Sequence, residues 1–388
     1  METMKKTEQY LSIELIIQIL LMLPVKSLIR FKCVCKLWFS LISQSDFANS
    51  HFQLTAKTHA PRILLITPNL ESLSIDLETS LYDDSASYSL NINFLLPQSF
   101  TQLDIKGSCR GFILLSCGSC LCLWNPSTGV HKYIPNSLID CNLDAYHLYG
   151  FGYDESRDDY FVLSMSYDPN AYDKLTRLGL FSLRADAWNE IEGDNYFSYC
   201  LARENSKVEP FLNGAIHFLN GAIHWLALCY DISTNVILGY HLMQRELLEL
   251  TLPADITSAP SKVYDLWVFR GCLSLWDMAH DNGTVEIWVM EKYNVTSSWT
   301  KTLVLSFDGI PSHYFCPKYD TKSGDIVGTN AGNVLAKYNE KGQLLEHQSY
   351  CDNEYGSLVV MYTESLLSIP DGDSGQAKKM KRIRRTRS

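Results

Sequence analysis

From Leu11 to Leu41 the apolar residues recur at helical spacing (Leu15, Ile19, Met22; Leu28, Phe31; Val34, Trp38, Leu41), while Glu14 and Gln18 form a polar stripe four residues apart. This pattern predicts three helices. Pro24 ends the first, Ser27 is the candidate N-cap of the second, and the third is expected from about Lys36 to Ser43. A unit on the order of 40 residues with no metal or disulfide pattern sits at the size where a domain rarely folds well alone. It is expected to lean on a partner.

After about residue 60 the period changes. Short runs of Val, Ile, Tyr, Phe and Trp are cut by Asp, Asn, Gly and Pro every 8 to 12 residues or so, which is the pattern of antiparallel all-β structure. Candidate strands are Cys120 to Trp124, Lys132 to Ile134, Tyr149 to Tyr153, Tyr160 to Ser164, Leu178 to Leu183, Ile223 to Leu228, Val236 to His241, Val285 to Met290 and Asp325 to Thr329. Several end in an aromatic followed by Asn or Asp, as in Trp124-Asn125, Tyr153-Asp154, Tyr230-Asp231, Tyr319-Asp320 and Tyr338-Asn339, where the Asx side chain can start a turn. These sites are spaced too irregularly to define blades, and no Gly-Gly pair of the kelch kind exists. A β-propeller is the preferred architecture because radial repetition closes many short strands without long exposed edges; a stacked β-sandwich is the alternative. The fold class is thus α+β by segment: a small three-helix unit, then a large all-β domain. One heptapeptide, FLNGAIH, occurs twice in tandem, at 211–217 and 218–224. Its odd length would exchange the faces of a single strand between copies, so one copy is expected to form a bulge or loop.

Charge changes the picture at the C-terminus. The 388-residue chain carries −10 overall, yet Lys378, Lys379, Lys381, Arg382, Arg384, Arg385 and Arg387 crowd the last residues, leaving −17 on the rest. An acidic body argues against a protein that coats nucleic acid. The basic tail reads as a candidate nuclear-targeting segment and is expected to be disordered. The apolar run Ile13 to Val25 is interrupted by Glu14 and Gln18 and is too short for a bilayer, so neither a secretory signal nor a membrane span is expected. The twelve Cys are then expected as reduced thiols, in the cytoplasm and/or the nucleus.

Chemistry is hard to find. Cys117, Cys120 and Cys122 cluster and Cys33 neighbours Cys35, but no second Cys or His pair lies at finger spacing, so no metal is expected. The Gly107-Ser108-Cys109-Arg110-Gly111 run has Cys where a nucleophile elbow has Ser. Gly150-Phe151-Gly152 lacks the third glycine of a dinucleotide loop and is followed by Asp154-Glu155. No catalytic residue and no cofactor follow from the sequence. Between Asp140 and Asp194, twelve acids face four bases, a stretch that either steers a basic partner or forms solvated turns.

The segment from Leu11 to Ile42 resembles an F-box of the large plant family, through Leu23-Pro24-Val25-Lys26-Ser27-Leu28, Arg30-Phe31-Lys32-Cys33-Val34-Cys35-Lys36 and Trp38, continued by Phe47 and His51. It departs at Ser12, where that family usually has Pro, a change expected to soften entry into the first helix. The remainder resembles the F-box-associated domain of plant proteins related to the S-locus F-box group. The matching runs include Leu123-Trp124-Asn125-Pro126, Tyr149-Gly150-Phe151-Gly152-Tyr153-Asp154, Asn220-Gly221-Ala222-Ile223-His224-Trp225 and Arg270-Gly271-Cys272-Leu273. The second tandem copy is in family register, which makes 211–217 the insertion.

The resemblance implies a non-catalytic substrate receptor of a Skp-cullin-F-box ubiquitin ligase. Its F-box would dock a Skp-type adaptor, and through it cullin and a RING subunit, while the β domain holds an unidentified target protein. It further implies that Leu11, Leu15, Leu23, Pro24, Val25, Leu28, Ile29, Cys33, Val34 and Trp38 face or support the adaptor; no substrate-binding residue is implied. The expected organisation is a disordered 1–8, the F-box at 9–50, a connecting segment with first strands at 51–104, the β domain at 105–365 and a disordered tail at 366–388. The rival reading is a small-ligand binder or enzyme built on the β domain, with a degenerate F-box and a pocket lined by loops such as Asp140 to Tyr149.

Overall fold

The structure is a computed structural model that describes residues 11–56, 58–94, 103–118, 120–135, 137, 146–167, 176–191, 199–201, 217–229, 234–257, 263–279, 283–306, 315–330, 334–350 and 356–370. The first element is α1 (Ile13–Leu21), followed by α2 (Val25–Phe31), α3 (Lys36–Ile42) and α4 (Ser45–Thr55). Ser12 does not weaken α1 but caps it: its Oγ accepts a hydrogen bond from the Leu15 amide at 3.4 Å. Ser27 lies inside α2, whose N-cap position is Pro24, a residue with the helical φ already set. The fourth helix was not expected. Its Phe47, Ala48, His51, Phe52 and Thr55 form a buried helical stripe, but two of the five are polar, so the apolar periodicity is diluted.

The rest is a six-bladed propeller. The first blade takes β1 (Arg62–Ile66), β2 (Ser72–Asp76) and β3 (Ser87–Leu90); the second is β4 (Leu103–Cys109), β5 (Phe112–Cys117), β6 (Cys120–Trp124) and β7 (His131–Ile134). The third is β8 (Tyr146–Asp154), β9 (Asp159–Tyr167), β10 (Thr176–Ser182) and β11 (Ala187–Ile191). The fourth holds β12 (Tyr199–Leu201), β13 (His217–Leu219), β14 (Ala222–Cys229), β15 (Thr234–His241) and β16 (Glu246–Thr251). The fifth is β17 (Val263–Phe269), β18 (Cys272–Ala279), β19 (Thr284–Met290) and β20 (Trp299–Ser306), and the sixth β21 (Cys316–Asp320), β22 (Ile326–Asn330), β23 (Val334–Tyr338) and β24 (Leu344–Ser349). Last in the chain, β25 (Leu358–Tyr362) pairs antiparallel with β1, Arg62 opposite Tyr362, and so completes the first blade with a strand from the other end of the chain. Every candidate strand coincides with or overlaps an observed one, and six separate sheets exclude the sandwich.

Three hairpins show the repeat that the aromatic-Asx spacing hid. The inner strand of the second, fourth and fifth blades turns into its neighbour through Arg110-Gly111, Asn220-Gly221 and Arg270-Gly271, with φ positive at both residues of each pair. Such two-residue turns match the twist of the flanking strands, and glycine is what makes the second position cheap. The second tandem copy, Phe218 to His224, forms one of these hairpins. Both β12 and β13 pair with β14, so the inner strand of the fourth blade is interrupted between Leu201 and His217, and Phe211 to Ile216 lie outside the described residues.

The segment 51–104 completes α4 and holds the expected first strands, which are those of the first blade. One expected boundary is corrected. The C-terminal tail does not begin at 366, because Leu366 and Leu367 are buried and Ile369 packs against the same core. The basic residues Lys378, Lys379, Lys381, Arg382, Arg384, Arg385 and Arg387 lie outside the described residues, as does the N-terminal 1–8. Among the described residues no helix is long and apolar enough to cross a membrane.

Candidate interaction site

In a meander the first and third turns of a sheet lie at the same end. The start of β1 and the end of β25 therefore share one propeller face with Arg110-Gly111, Asn220-Gly221 and Arg270-Gly271, and the helices sit on that face. Their anchor is Arg110. Its guanidinium lies 4.0 Å from the centroid of Tyr153 and 4.9 Å from that of Phe52 in α4, and its Nη2 donates to Asn49 Oδ1 at 3.2 Å. Lys26 adds a contact at 4.1 Å over the Tyr88 ring, and the Lys322 ammonium donates to the Thr58 carbonyl. Gly111 is obligatory beside this anchor: its φ is +82°, and a Cβ there would come within 2.7 Å of the Thr363 carbonyl. Arg110→Ala is expected to release α4 from the propeller at a cost of about 2 kcal/mol, since both ring contacts are partly desolvated. Amide exchange in α4 should rise at least tenfold with blade protection unchanged; equal protection in α4 would refute the anchor.

Within the helical unit the polar interior is built on His51, which is fully buried. Its Nε2 donates to the Leu23 carbonyl at 2.8 Å, holding the Leu23-Pro24 corner between α1 and α2, while its Nδ1 is buried without a partner. Burial pushes its pKa below the ordinary histidine value, only partly offset by the Leu23 carbonyl. Unfolded His51 takes a proton below about pH 6.5 and folded His51 resists it, so its contribution is complete above that pH and is lost on acidification through the folded pKa. Thermal melts from pH 7.5 down to 5 should show the helical unit weakening, and His51→Gln should flatten that dependence.

Burial divides the adaptor-facing candidates. Leu11, Leu15 and Val34 are exposed at 61%, 48% and 60%, and Pro24 and Cys33 are exposed too. Leu23, Ile29 and Trp38 are half-buried against the helical core, Trp38 with its ring 5.2 Å from Phe31. Val25 and Leu28 are buried, the position of residues that support the surface from beneath. The exposed set also includes Ile13, Ile19, Met22, Leu37 and Phe39, none of which was singled out as adaptor-facing. Half of the sixteen large exposed apolar side chains of the described residues therefore lie between Leu11 and Phe39, on a unit whose other side is anchored to the propeller. Such concentration marks a protein-docking surface.

Burial pushes the thiols of Cys117 and Cys122 up to about 12, and Cys35 uses its sulfur to accept from the Trp38 amide. Among the described residues no three His, Cys, Asp or Glu side chains gather as a metal site would require. Six of the twelve acids of the acidic stretch are among the described residues, and of these Asp186 pairs with Lys132 at 2.7 Å, Asp158 with Arg184 at 3.0 Å, and Asp154 accepts from the Ser156 amide and hydroxyl. Of the candidate ligand loop from Asp140 to Tyr149, residues 140–145 lie outside the described set.

A propeller scaffold with an anchored helical module that presents an apolar face is the class of architecture this chain builds. The chain belongs to the F-box proteins that carry an F-box-associated propeller: residues 9–49 match the F-box domain and residues 61–369 the F-box associated beta propeller domain. It is similar to an F-box/kelch-repeat protein of Arabidopsis thaliana, 31% identical over 85% of this chain and 87% of that protein. It is also similar to the F-box protein CPR1 of the same plant, 28% identical over 75% of this chain and 72% of its relative.

Proposed function

We propose that this protein is a non-catalytic substrate receptor of a Skp-cullin-F-box ubiquitin ligase. The observation that carries the proposal is the exposed apolar surface from Leu11 to Phe39 on a unit anchored through Arg110. F-box domains in general dock a Skp-type adaptor, and that adaptor brings cullin and the RING subunit. The propeller holds the target, and catalysis comes from proximity, because a tethered target meets the conjugating enzyme at high effective concentration. The protein works in the cytoplasm or the nucleus, with the basic tail as the candidate nuclear address. Co-purification of the full chain with a plant Skp-type adaptor, then assembly with cullin and RING subunit, tests the reading. A folded chain that captures no adaptor would overturn it.

A further inference from the structure

Between the third and fourth blades, at the face that carries the helices, lies a cavity of about 560 Å³. Clefts of roughly 300–1,000 Å³ hold small ligands and peptide side chains. Its floor is apolar, made by the buried Phe161, Leu180 and Tyr240. Around this floor stand three arginines from three different turns: Arg157 after β8, Arg184 after β10 and Arg245 before β16. Three cations converge on one cleft in a chain that is otherwise acidic.

Their present partners leave them capacity. Arg245 lies 4.6 Å over the Phe161 ring and, among the described residues, has no carboxylate within ion-pair distance. Arg184 spends its Nη2 on Asp158, at 3.0 Å to Oδ2 and 2.6 Å to the carbonyl, but its Nε is buried without a partner. Arg157 reaches Asp154 only at 3.8 Å. The cavity also has two carboxylates, Asp159 and Glu190, which with Asp154 and Asp158 offset the three arginines in number, so it is Arg245 that stands, among the described residues, without a carboxylate of its own. Asp159 is buried and already accepts from the Ser182 hydroxyl and, at 2.9 Å, from the Arg184 amide, while Glu190 is exposed on the rim. A buried guanidinium donor without an acceptor costs free energy that an incoming anion would recover.

We infer that this cavity receives an acidic peptide segment of the target protein, with a carboxylate or phosphate on Arg184 and Arg245 and a neighbouring apolar side chain on the floor. The inference rests on the reading that the propeller carries the target, but not on adaptor docking. Target specificity would then come partly from a negative charge next to an apolar residue.

The test uses the full chain and a fluorescein-labelled peptide with one central position between two leucines, prepared with phosphoserine, glutamate or serine there. Fluorescence anisotropy should show binding of the phosphoserine or the glutamate form and at least tenfold weaker binding of the serine form. Arg245→Gln and Arg184→Gln should each weaken the anionic peptide about tenfold or more, the loss expected for one charge-assisted contact. Arg177→Gln, on an exposed arginine that does not line the cavity, should change nothing. Preference between the two anionic forms assigns phosphate or carboxylate. Equal binding of all three peptides, binding of none, or indifference of folded Arg245→Gln would overturn the site. Because adaptor capture is measured separately, failure here leaves the receptor reading standing, and loss of adaptor capture leaves the cavity standing.

Discussion

Replacing Leu15 and Ile19 together by aspartate will abolish capture of a Skp-type adaptor while leaving the propeller folded. The two residues lie four apart on α1, at 48% and 50% exposure, opposite the buried Leu20. Neither fills the helical core, so the substitution leaves no cavity, and each carboxylate stays solvated in the free protein. On docking, both charges would have to be buried against an apolar partner. Truncating one central apolar anchor of an interface costs about 2 kcal/mol or more, and a buried unpaired charge costs further. Together they should weaken adaptor binding by a factor on the order of a hundred to a thousand, enough to lose the complex on a sizing column. An unchanged melting temperature with unchanged capture would place the docking surface elsewhere.

The largest expected effect on stability is at the closure of the ring. Asn125→Ala should cost about 3–5 kcal/mol, because a fully buried amide there joins the second blade to the C-terminal segment. Its Nδ2 donates to the Ser365 carbonyl at 3.2 Å, the Ser365 hydroxyl at 3.1 Å and the Leu367 carbonyl at 3.0 Å, and its Oδ1 accepts from the Ser127 amide at 2.9 Å. Alanine leaves those carbonyls buried and unpaired. The segment they belong to follows β25, the strand that closes the first blade, so its release exposes the seam sealed by Ser74 Oγ and Tyr362 at 2.6 Å. Denaturant unfolding should show the loss, and amide exchange should rise first in β25. A destabilisation below 1 kcal/mol would mean that solvent or a neighbour replaces the amide.

Much of this architecture was legible beforehand, and the failures share a cause. The apolar stripes of α1 and α3 and the short β-rich runs are local patterns, set by residues within one or two turns or along one strand. The resemblance to the F-box supplied the candidate adaptor-facing residues, although the exposed Ile13, Ile19, Met22, Leu37 and Phe39 are not among them, because apolar spacing does not say which side of a helix stays exposed. Ser12 was misjudged because comparison with a proline motif hides that serine is a good N-cap. Helix α4 was missed because burial there falls on His51 and Thr55, polar residues whose interior role depends on carbonyls they meet in the fold.

By itself the sequence determined a helical module followed by an all-β domain of many short strands. Only the tertiary structure decided that the β domain closes as six blades with β25 beside β1, that Arg110 anchors α4 to the propeller, and that Arg157, Arg184 and Arg245 surround one cavity. Periodicity and turn chemistry act between near neighbours and so can be read along the chain. Closure, anchoring and the convergence of charge join residues from distant segments, and only the packed ring brings them together.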